Sequence, residues 1–247
     1  MAEPRLKVVN AYKHFGGLTA VNKVSIEVYP GEVVALLGDN GAGKSTLIKM
    51  ISGVYPFDGG ELYFDGVRTH LSGPMQARDL GIETIYQDLA LAENLNVGAN
   101  VFLGREIMRR RVFGLLHTLD NEQMRQEAGN VLHRLDIAIP SLRARISTLS
   151  GGQRQAVAIS RAVYWNVKLM IMDEPTAALG VAEQRKVLAL VKQLRDQTIP
   201  VLIISHTMQD VLEVADRMLI MRRGKLVAEV PRSEATVELL VRHIVGG

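Results

Sequence analysis

A chain of 247 residues with 47% hydrophobic and 22% charged residues has the composition of a folded globular protein, long enough for one large domain or two small ones. Its net charge of +3 would permit an acidic partner, but the basic residues are spread out and aromatic residues make up only 5%, which excludes the stacking platform of a single-strand nucleic-acid binder. Without cysteine there is no disulfide or thiolate metal site, and no uncharged apolar run approaches the roughly 18 residues of a membrane span. We therefore expect a cytosolic chain that does not itself cross a bilayer and has no nucleic-acid partner.

Short runs rich in β-branched residues alternate with helical patterns along most of the chain. In chain order, the pattern predicts strands at LKVVNAY, VSIEVY and VVALL, a helix from Lys44, a strand at ELYFDG, a helix near Met75, and strands at IETIY, LMIMD, VLIIS, RMLIMRR and KLVAEV. Strands that are apolar on both sides and separated by helices indicate a mostly parallel sheet covered on both faces. VSIEVY and ELYFDG alternate apolar and polar side chains and predict a small antiparallel sheet.

The β-rich pattern stops between residues 89 and 163, where helix-forming residues dominate. In NEQMRQEAGNVLHRL, apolar side chains recur at the i, i+3, i+4 spacing of an amphipathic helix, at Met124, Ala128, Val131, Leu132 and Leu135. The same block carries the one dense basic run, Arg109-Arg110-Arg111, which we interpret as a solvated face. The sequence predicts a helical subdomain, residues 89–163, inserted into an α/β domain formed by residues 1–88 and 164–247.

A glycine-rich loop follows the apolar strand VVALL and precedes the helical TLIKMI. It fits the pattern G-x-x-x-x-G-K-[ST], whose backbone N–H groups and helix N-terminus form a concave site for phosphate groups. In this pattern Lys44 reaches the β- and γ-phosphates of a nucleotide, and the Ser45 hydroxyl binds Mg²⁺. The predicted phosphate-binding residues are Gly38, Asp39, Asn40, Gly41, Ala42, Gly43, Lys44, Ser45 and Thr46.

Two adjacent carboxylates, Asp173 and Glu174, stand at the end of the apolar strand LMIMD. In P-loop proteins, a strand that ends in an acidic residue beside the phosphate loop supplies a ligand of Mg²⁺, which is the role we predict for Asp173. A second carboxylate is redundant as a ligand, so Glu174 is the candidate general base for an attacking water. Storage of a nucleotide needs neither Mg²⁺ nor a base, and the pair therefore indicates hydrolysis.

A third motif, Leu149-Ser150-Gly151-Gly152-Gln153, opens the helical stretch QRQAVAISRAV. A Ser-Gly-Gly run at a helix N-terminus presents free backbone N–H groups and a hydroxyl, which make a second phosphate-binding device. Taken alone, the motif is also compatible with a simple helix cap.

Together these motifs resemble those of the ATP-binding subunits of ABC transporters, and the resemblance covers essentially the whole chain. GDNGAGKST is similar to the Walker A loop, Tyr86-Gln87 to the Q-loop, LSGGQ to the signature, LMIMDE to the Walker B strand and Ser205-His206 to the switch histidine, in the family's order and approximate spacing. The resemblance implies an α/β fold of the P-loop NTPase (RecA-like) type, with a mostly parallel sheet, an N-terminal antiparallel β subdomain and the inserted helical subdomain.

The resemblance also implies a working dimer. Two copies of the chain would pack head to tail, so that Ser150 and Gly152 in the signature of one copy touch the γ-phosphate of the ATP held by the other. Gln87 would sense Mg²⁺ and relay the state of the site to a membrane partner. His206 would hold the γ-phosphate and orient the water with Glu174.

An aromatic residue of the family stacks on adenine. Phe15, in the stretch KHFGG, matches that residue, and Tyr12 is the alternative.

The segment GIETIYQDLALAENLNVGANVFLGRE is similar to the ATPases of bacterial monosaccharide importers of the ribose, xylose and fructose group, with Ala99 where glutamate is usual. We therefore expect an ATPase that energises sugar import from the cytoplasmic face of the inner membrane. Its partners would be a second copy, two transmembrane permease subunits and, indirectly, an extracytoplasmic solute-binding protein.

Other classes are weighed against that prediction. Most ATPases of the sugar group carry two ABC halves in one chain, whereas this chain has one, so an importer of branched-chain amino acids stays as the alternative. A soluble ABC protein acting on nucleic acid or ribosomes usually has coiled-coil heptads or two halves with a charged linker, and neither occurs here. A non-hydrolysing scaffold is disfavoured because Lys44, Asp173, Glu174 and His206 are all intact.

The loop after Glu174 departs from the family pattern. It usually reads SALD, with an aspartate that reaches across the dimer, whereas here it reads Ala177-Ala178-Leu179-Gly180. Glycine cannot make that charged contact, so we expect weaker communication between the two nucleotide sites, without loss of catalysis.

Overall fold

A computed structural model describes residues 3–111, 116–177 and 179–246, with the side chains of Arg110, Arg111 and Leu116 left out. Of the predicted solvated basic run, Arg109 is therefore the one described side chain, and it is exposed. Ala178, in the loop that departs from the family pattern, lies outside the described residues.

Within the described residues the chain forms twelve β-strands and eight α-helices. The strands are β1 (Leu6–Phe15), β2 (Leu18–Val28), β3 (Val33–Leu37), β4 (Gly59–Phe64), β5 (Val67–Thr69), β6 (Ile82–Ile85), β7 (Met108–Arg111), β8 (Leu116–Leu119), β9 (Leu169–Asp173), β10 (Val201–Ile204), β11 (Arg217–Arg222) and β12 (Lys225–Pro231). The helices are α1 (Lys44–Ile51), α2 (Pro74–Leu80), α3 (Val97–Val101), α4 (Asn121–Arg134), α5 (Gly151–Tyr164), α6 (Val181–Asp196), α7 (Met208–Val214) and α8 (Val237–Val245).

Four N-terminal strands form an antiparallel sheet in the order β2-β1-β4-β5. In its centre, Leu6 of β1 lies opposite Val28 of β2 on one side and Phe64 of β4 on the other. The alternation in VSIEVY and ELYFDG predicted this sheet, because one face of each strand is buried and the other is not. The prediction is confirmed, with two additional strands, β1 between β2 and β4, and β5 beside β4.

Six strands form the main sheet, in the order β12-β11-β3-β10-β9-β6, and every neighbouring pair except β11–β12 is parallel. Every residue of β3 and β10 is buried, as expected for strands covered on both faces. Ile204, the last residue of β10, pairs with Leu36 on one side and Asp173 on the other. The carboxyl ends of β3, β10, β9 and β6 therefore meet at one edge of the sheet, where ligands of open α/β sheets bind.

The chain divides into two compact units. We call one the core unit, formed by Met1–Gln87, Val167–Ala177 and Val191–Gly247, and the other the helical unit, formed by Asp88–Asn166 and Ala178–Leu190. The helical unit thus includes the first part of α6, a stretch that the sequence pattern assigned to the α/β domain. The chain passes from the core unit to the helical unit immediately after Gln87.

The helical unit packs α3, α4 and α5 around a small core of its own. In α4 and at Leu135, the residue that follows it, the five residues that the periodicity predicted as one apolar face are all buried: Met124, Ala128, Val131, Leu132 and Leu135. The prediction that strands are absent from residues 89–163 is wrong, because β7 and β8 pair as an antiparallel hairpin. Two four-residue strands, one of them mostly arginine, are too short and too charged to give a β-pattern in the sequence.

Candidate functional site

Two glycines, one at each end of the phosphate loop, hold positions that no other residue could occupy without strain. Gly38 has φ +148°, and a Cβ there would lie 2.2 Å from the carbonyl oxygen of Met221. Gly43, at the start of α1, has φ +102°, and its Cβ would lie 2.3 Å from the carbonyl oxygen of Ala20. Both positions combine a left-handed backbone with a close backbone neighbour, so the loop keeps its shape only with glycine there.

The turn between β11 and β12 is bonded to the phosphate loop through its backbone. The N–H of Gly224 donates to the carbonyl oxygen of Ala42 at 2.9 Å, and the Gly224 carbonyl accepts from the N–H of Asn22 at 2.7 Å. The β11–β12 turn therefore supports the phosphate loop and is itself bonded to β2.

Lys44 is held inside this loop. The residue is 7% exposed, and its Nζ donates to the carbonyl oxygens of Gly38 at 2.7 Å and Asp39 at 3.1 Å. Burial lowers the pKa of Lys44, while the nearby carboxylates of Glu174 and Asp173 act against that shift. An ammonium group fixed beside glycine N–H groups is suited to hold phosphate oxygens.

The two carboxylates follow β9 with different backbone conformations. Asp173 ends the strand, and burial raises its pKa against the opposing charge of Lys44. Glu174 has φ +53°, an uncommon value for a residue with a side chain, and its N–H donates to the carbonyl oxygen of Ile204 at 2.9 Å. Burial also raises the pKa of Glu174. A left-handed residue fixed in this way turns the second carboxylate away from the strand direction.

His206 lies against the Glu174 carboxylate. Its backbone N–H donates to Oε2 of Glu174 at 3.3 Å, and its Nε2 lies 3.2 Å from Oε1. Oε1 is buried and, among the described residues, accepts no hydrogen bond. Because no described donor other than the nearby His206 ring lies at this buried oxygen, it is suited to accept a hydrogen bond from a water molecule. The charge of a protonated His206 would counteract the raised pKa of Glu174.

A cleft of about 570 Å³ joins these groups, a size typical of small-molecule sites. Of the predicted site residues, it is lined by Phe15, Asn40, Gly41, Ala42, Gly43, Lys44, Ser45, Thr46, Gln87, Asp173, Glu174 and His206. Gly38 and Asp39 contribute the carbonyl groups that hold Lys44. The cleft also contains residues that the motifs did not indicate: Leu18, Thr19, Ala20, Ile204 and Arg223.

Phe15 stands at the end of β1 with its side chain partly exposed to the cleft. Its ring makes a T-shaped contact with the ring of Tyr55, with ring centres 5.3 Å apart, and the Lys13 ammonium lies 5.4 Å from the centre of the Phe15 ring. The alternative, Tyr12, is not among the described residues that line the cleft, and its hydroxyl lies 3.4 Å from Oγ1 of Thr19.

The donors available for Mg²⁺ are one hydroxyl, one amide and one carboxylate, from Ser45, Gln87 and Asp173, all lining the same cleft. Among the residues that the structure describes, no group of three histidine or acidic side chains could hold a metal by itself. Mg²⁺ is usually bound through one or two carboxylates, with water and substrate phosphates completing its shell, so this donor set fits that ion.

The signature motif starts α5 and belongs to the helical unit. Ser150 is the N-cap: its Oγ accepts from the Gln153 N–H at 3.3 Å, and its own N–H donates to Oε1 of Gln153 at 3.0 Å. This reciprocal capping box satisfies two donors at the helix start. The helix cap that the sequence left open as an alternative is therefore present, and the N–H of Ser150 is not free. The signature residues Ser150 to Gln153 are not among those that line the cleft of the core unit.

Comparison with known proteins decides the class. The sequence model of a family described as ABC transporter matches residues 21–177. The chain belongs to the ABC transporter family. It is an ATP-binding cassette, an ATPase of that family, and the α/β fold of P-loop NTPase type is confirmed.

Three relatives of this ABC cassette illustrate its position in the family. It is 48% identical to a xylose/arabinose import ATP-binding protein of Sulfolobus acidocaldarius, over 94% of the chain and 90% of that protein. It is 43% identical to a fructose import ATP-binding protein of Rhizobium meliloti, over 99% of the chain and 95% of that protein. A ribose import ATP-binding protein of Burkholderia ambifaria is 40% identical over 99% of the chain, which spans 47% of that protein.

Solved ABC cassettes have the same fold. A nucleotide-free ATP-binding cassette from an ABC transporter superposes with a TM-score of 0.84 at 27% identity, covering 99% of this chain and 98% of the other. A dimeric cassette in a post-hydrolysis state, bound to ADP and Pi, gives a TM-score of 0.75 at 25% identity, over 92% of this chain and 98% of the other. In the part of this cassette that the structure describes, no helix combines the length and the apolar character needed to cross a membrane.

Two residues of this ABC cassette that sequence reasoning missed hold the segment after Gln87. The Arg161 guanidinium, on α5, donates to the carbonyl oxygens of Leu89 at 3.3 Å and Ala90 at 3.2 Å. Asn100, fully buried on α3, bonds both the N–H and the carbonyl of Ala92, at 2.8 and 3.0 Å. A side chain that forms hydrogen bonds with the backbone of a loop belongs to no sequence motif. Neither Arg161 nor Asn100 could therefore have been found from the sequence.

Proposed function

We propose that the chain is the ATP-hydrolysing subunit of an importer for a monosaccharide, a peripheral protein on the cytoplasmic face of the inner membrane. The observation that carries the enzymatic part is the convergence of Lys44, Asp173, Glu174 and His206 on one cleft. The names of the xylose/arabinose, fructose and ribose relatives support the sugar. Two of these relatives are nearly matched in length by this chain, so a single cassette is compatible with sugar import.

In this proposal the cleft binds ATP by its phosphates and its base. Lys44 exchanges the carbonyl oxygens of Gly38 and Asp39 for oxygens of the β- and γ-phosphates, and the N–H groups of the loop bind the same phosphates. Phe15 stacks on adenine. Ser45, Gln87 and Asp173 hold Mg²⁺, which, when bound, supplies positive charge that offsets the charge of the phosphates.

The chemical step needs a base beside the γ-phosphate. Glu174 takes a proton from a water molecule while the water oxygen forms a bond to the γ-phosphorus. The bond from that phosphorus to the β–γ bridging oxygen breaks, and ADP leaves with this oxygen. His206 holds the γ-phosphate and aligns the water. Burial suits Glu174 to this role, since a raised pKa makes the carboxylate a stronger base.

A second copy of the chain completes the site. We propose a head-to-tail dimer in which Ser150 and Gly152 of one copy contact the γ-phosphate bound by the other. The dimeric solved cassette of similar fold supports dimerisation. Two transmembrane permease subunits receive the conformational signal from Gln87, and an extracytoplasmic binding protein delivers the solute.

Sugar import is tested with the complete transporter in liposomes. The chain is co-reconstituted with its two permease subunits and its binding protein, and ATP hydrolysis is measured with xylose, arabinose, fructose, ribose or leucine. We expect one or more of the sugars to stimulate hydrolysis, while leucine gives the unstimulated rate. Stimulation by leucine alone would overturn the sugar assignment in favour of a branched-chain amino acid importer.

The loop that ends at Gly180 yields a separate prediction about communication between the two sites. A Cβ at Gly180 would meet no atom within 4 Å, so aspartate fits without a steric clash. We expect Gly180→Asp to raise the cooperativity of ATP hydrolysis, because the new carboxylate can reach across the dimer. The measurement is the Hill coefficient for ATP, with Gly180→Asn as the uncharged control. A Gly180→Asp protein whose cooperativity and transport equal those of the parent would remove the idea of weakened coupling.

A further inference from the structure

Glu183 occupies the third helical position of α6, where its side chain can reach back to the helix start. The N–H groups of Glu183 and Gln184 both donate to the carbonyl oxygen of Gly180 at 2.9 Å, which makes Gly180 the N-cap. The Glu183 carboxylate in turn accepts from the backbone N–H of Gly180. This is the carboxylate half of a capping box, with glycine in place of the usual serine or threonine.

The same carboxylate also lies against the signature motif. The Ser150 hydroxyl and the N–H of Gly152 face it, and both lower the pKa of Glu183, Ser150 more strongly than Gly152. Its side chain is packed directly on the glycines: a Cβ at Gly152 would lie 2.9 Å from Cβ of Glu183, and one at Gly151 3.8 Å from Oε2. Glu183 thus links the first turns of α5 and α6 within the helical unit.

The two groups that Glu183 engages are those assigned above to the γ-phosphate. A hydroxyl and a backbone N–H at a helix N-terminus bind an anion without regard to its source, since both donors and the helix dipole favour any negative oxygen. We propose that Glu183 is an internal competitor of the γ-phosphate, which occupies Ser150 and Gly152 until the ATP held by a second copy displaces it. This inference rests on the proposed function, because it takes the signature to be a γ-phosphate site across the dimer.

A carboxylate beside Ser150 and Gly152 makes dimer closure less favourable in two ways. Ser150 and Gly152 have to exchange their interaction with the Glu183 carboxylate for bonds to phosphate, so closure gains less than the new contacts alone would give. A carboxylate left beside the incoming phosphate also repels it, and like charges brought together at an interface oppose association. The negative charge of Glu183 therefore keeps the signature occupied in the single chain and makes closure depend on ATP.

The experiment removes the charge and keeps the shape. In a Glu174→Gln background, which we expect to retain ATP in a closed dimer, Glu183→Gln is added, and the dimer dissociation constant is measured by sedimentation with ATP and with ADP. We expect the double variant to dimerise with ATP at about tenfold lower protein concentration than the Glu174→Gln parent. With ADP, which lacks the γ-phosphate, the two proteins should behave alike.

Two further variants separate competition from a structural role. Glu238→Gln, at an exposed position in the first turn of α8, makes the same charge change away from the signature and should leave the dissociation constant at the parental value. Glu183→Asp keeps the charge on a shorter side chain and replaces Glu183→Gln if that variant does not fold. The shorter side chain should interact less with Ser150, so we expect the dimer to become tighter by a smaller factor. Thermal unfolding checks that each variant is folded.

The outcomes are distinct. If folded Glu183 variants dimerise at the parental concentration or above it, Glu183 is a structural cap and the competition is overturned, while the proposed dimer stands. If the Glu174→Gln parent itself stays monomeric with ATP, the head-to-tail dimer fails, and the competition fails with it.

Discussion

A Glu174→Gln protein is expected to bind ATP with nearly the parental affinity and to hydrolyse it at least about 100-fold more slowly. Glutamine has the size of glutamate and keeps an oxygen for the backbone N–H of His206, which lies 3.3 Å from Oε2 of Glu174, so the site retains its shape. It cannot take a proton from water, and the loss falls on the chemical step. The nucleotide then stays as ATP, and the closed dimer accumulates.

The measurement is single-turnover hydrolysis together with ATP affinity, and Glu122→Gln, at a highly exposed position on α4, is the matched control. The pH profile gives a second readout. Because burial raises the pKa of Glu174, the parental rate should fall on acidification from a higher pH than an ordinary glutamate would give, and the variant should lack this limb. Hydrolysis at the parental rate in the variant would remove Glu174 from the role of base.

Removal of the Lys44 ammonium is expected to weaken ATP binding by at least about 100-fold, the size of one or two charge-assisted hydrogen bonds lost from a buried site. Lys44→Ala removes the cation that the loop carbonyls hold at 2.7 and 3.1 Å, and with it the direct partner of the β- and γ-phosphates. Binding is measured with a fluorescent ATP analogue and by competition with unlabelled ATP.

Two variants serve as controls for Lys44→Ala. Lys44→Met keeps most of the buried alkyl chain and loses only the charge, so it should lose ATP to a similar extent while unfolding at nearly the parental temperature. Lys49→Ala removes another cation from the same helix, one that lies 5.6 Å from the ring of Tyr55, and should retain ATP. Unchanged affinity in folded Lys44→Ala would refute the phosphate assignment.

The convergence of the motifs on one edge could be predicted because parallel strands impose it. The phosphate loop, Gln87, Asp173 and His206 each follow the end of an apolar strand, and the carboxyl ends of neighbouring parallel strands necessarily share an edge. The apolar runs predict the strands, and the glycines predict the phosphate loop. The parallel register of the sheet then brings these motifs to one edge.

Other parts of the site depend on contacts that leave no pattern in the sequence. Arg223 lines the cleft from the turn between β11 and β12. Asn100 is buried and forms hydrogen bonds with the backbone of the loop at Ala92. Glu183 looks like an ordinary residue of the first turn of an amphipathic helix, and only the meeting of α5 and α6 gives it a second role. Periodicity and motif spacing do not predict tertiary contacts of this kind.

The wall behind the phosphate loop has a consequence for the order of events during synthesis. A Cβ at Gly38 would clash with the Met221 carbonyl oxygen, and the N–H of Gly224 donates to Ala42, so the loop is completed by backbone of β11 and the turn after it, far from the loop in sequence. A nascent chain that has exposed the whole motif still lacks this wall until β11 and β12 leave the ribosome. Domains fold as units, with long-range contacts formed late, so we expect the emerging chain to gain its capacity to retain ATP only after β11 and β12 have been synthesised.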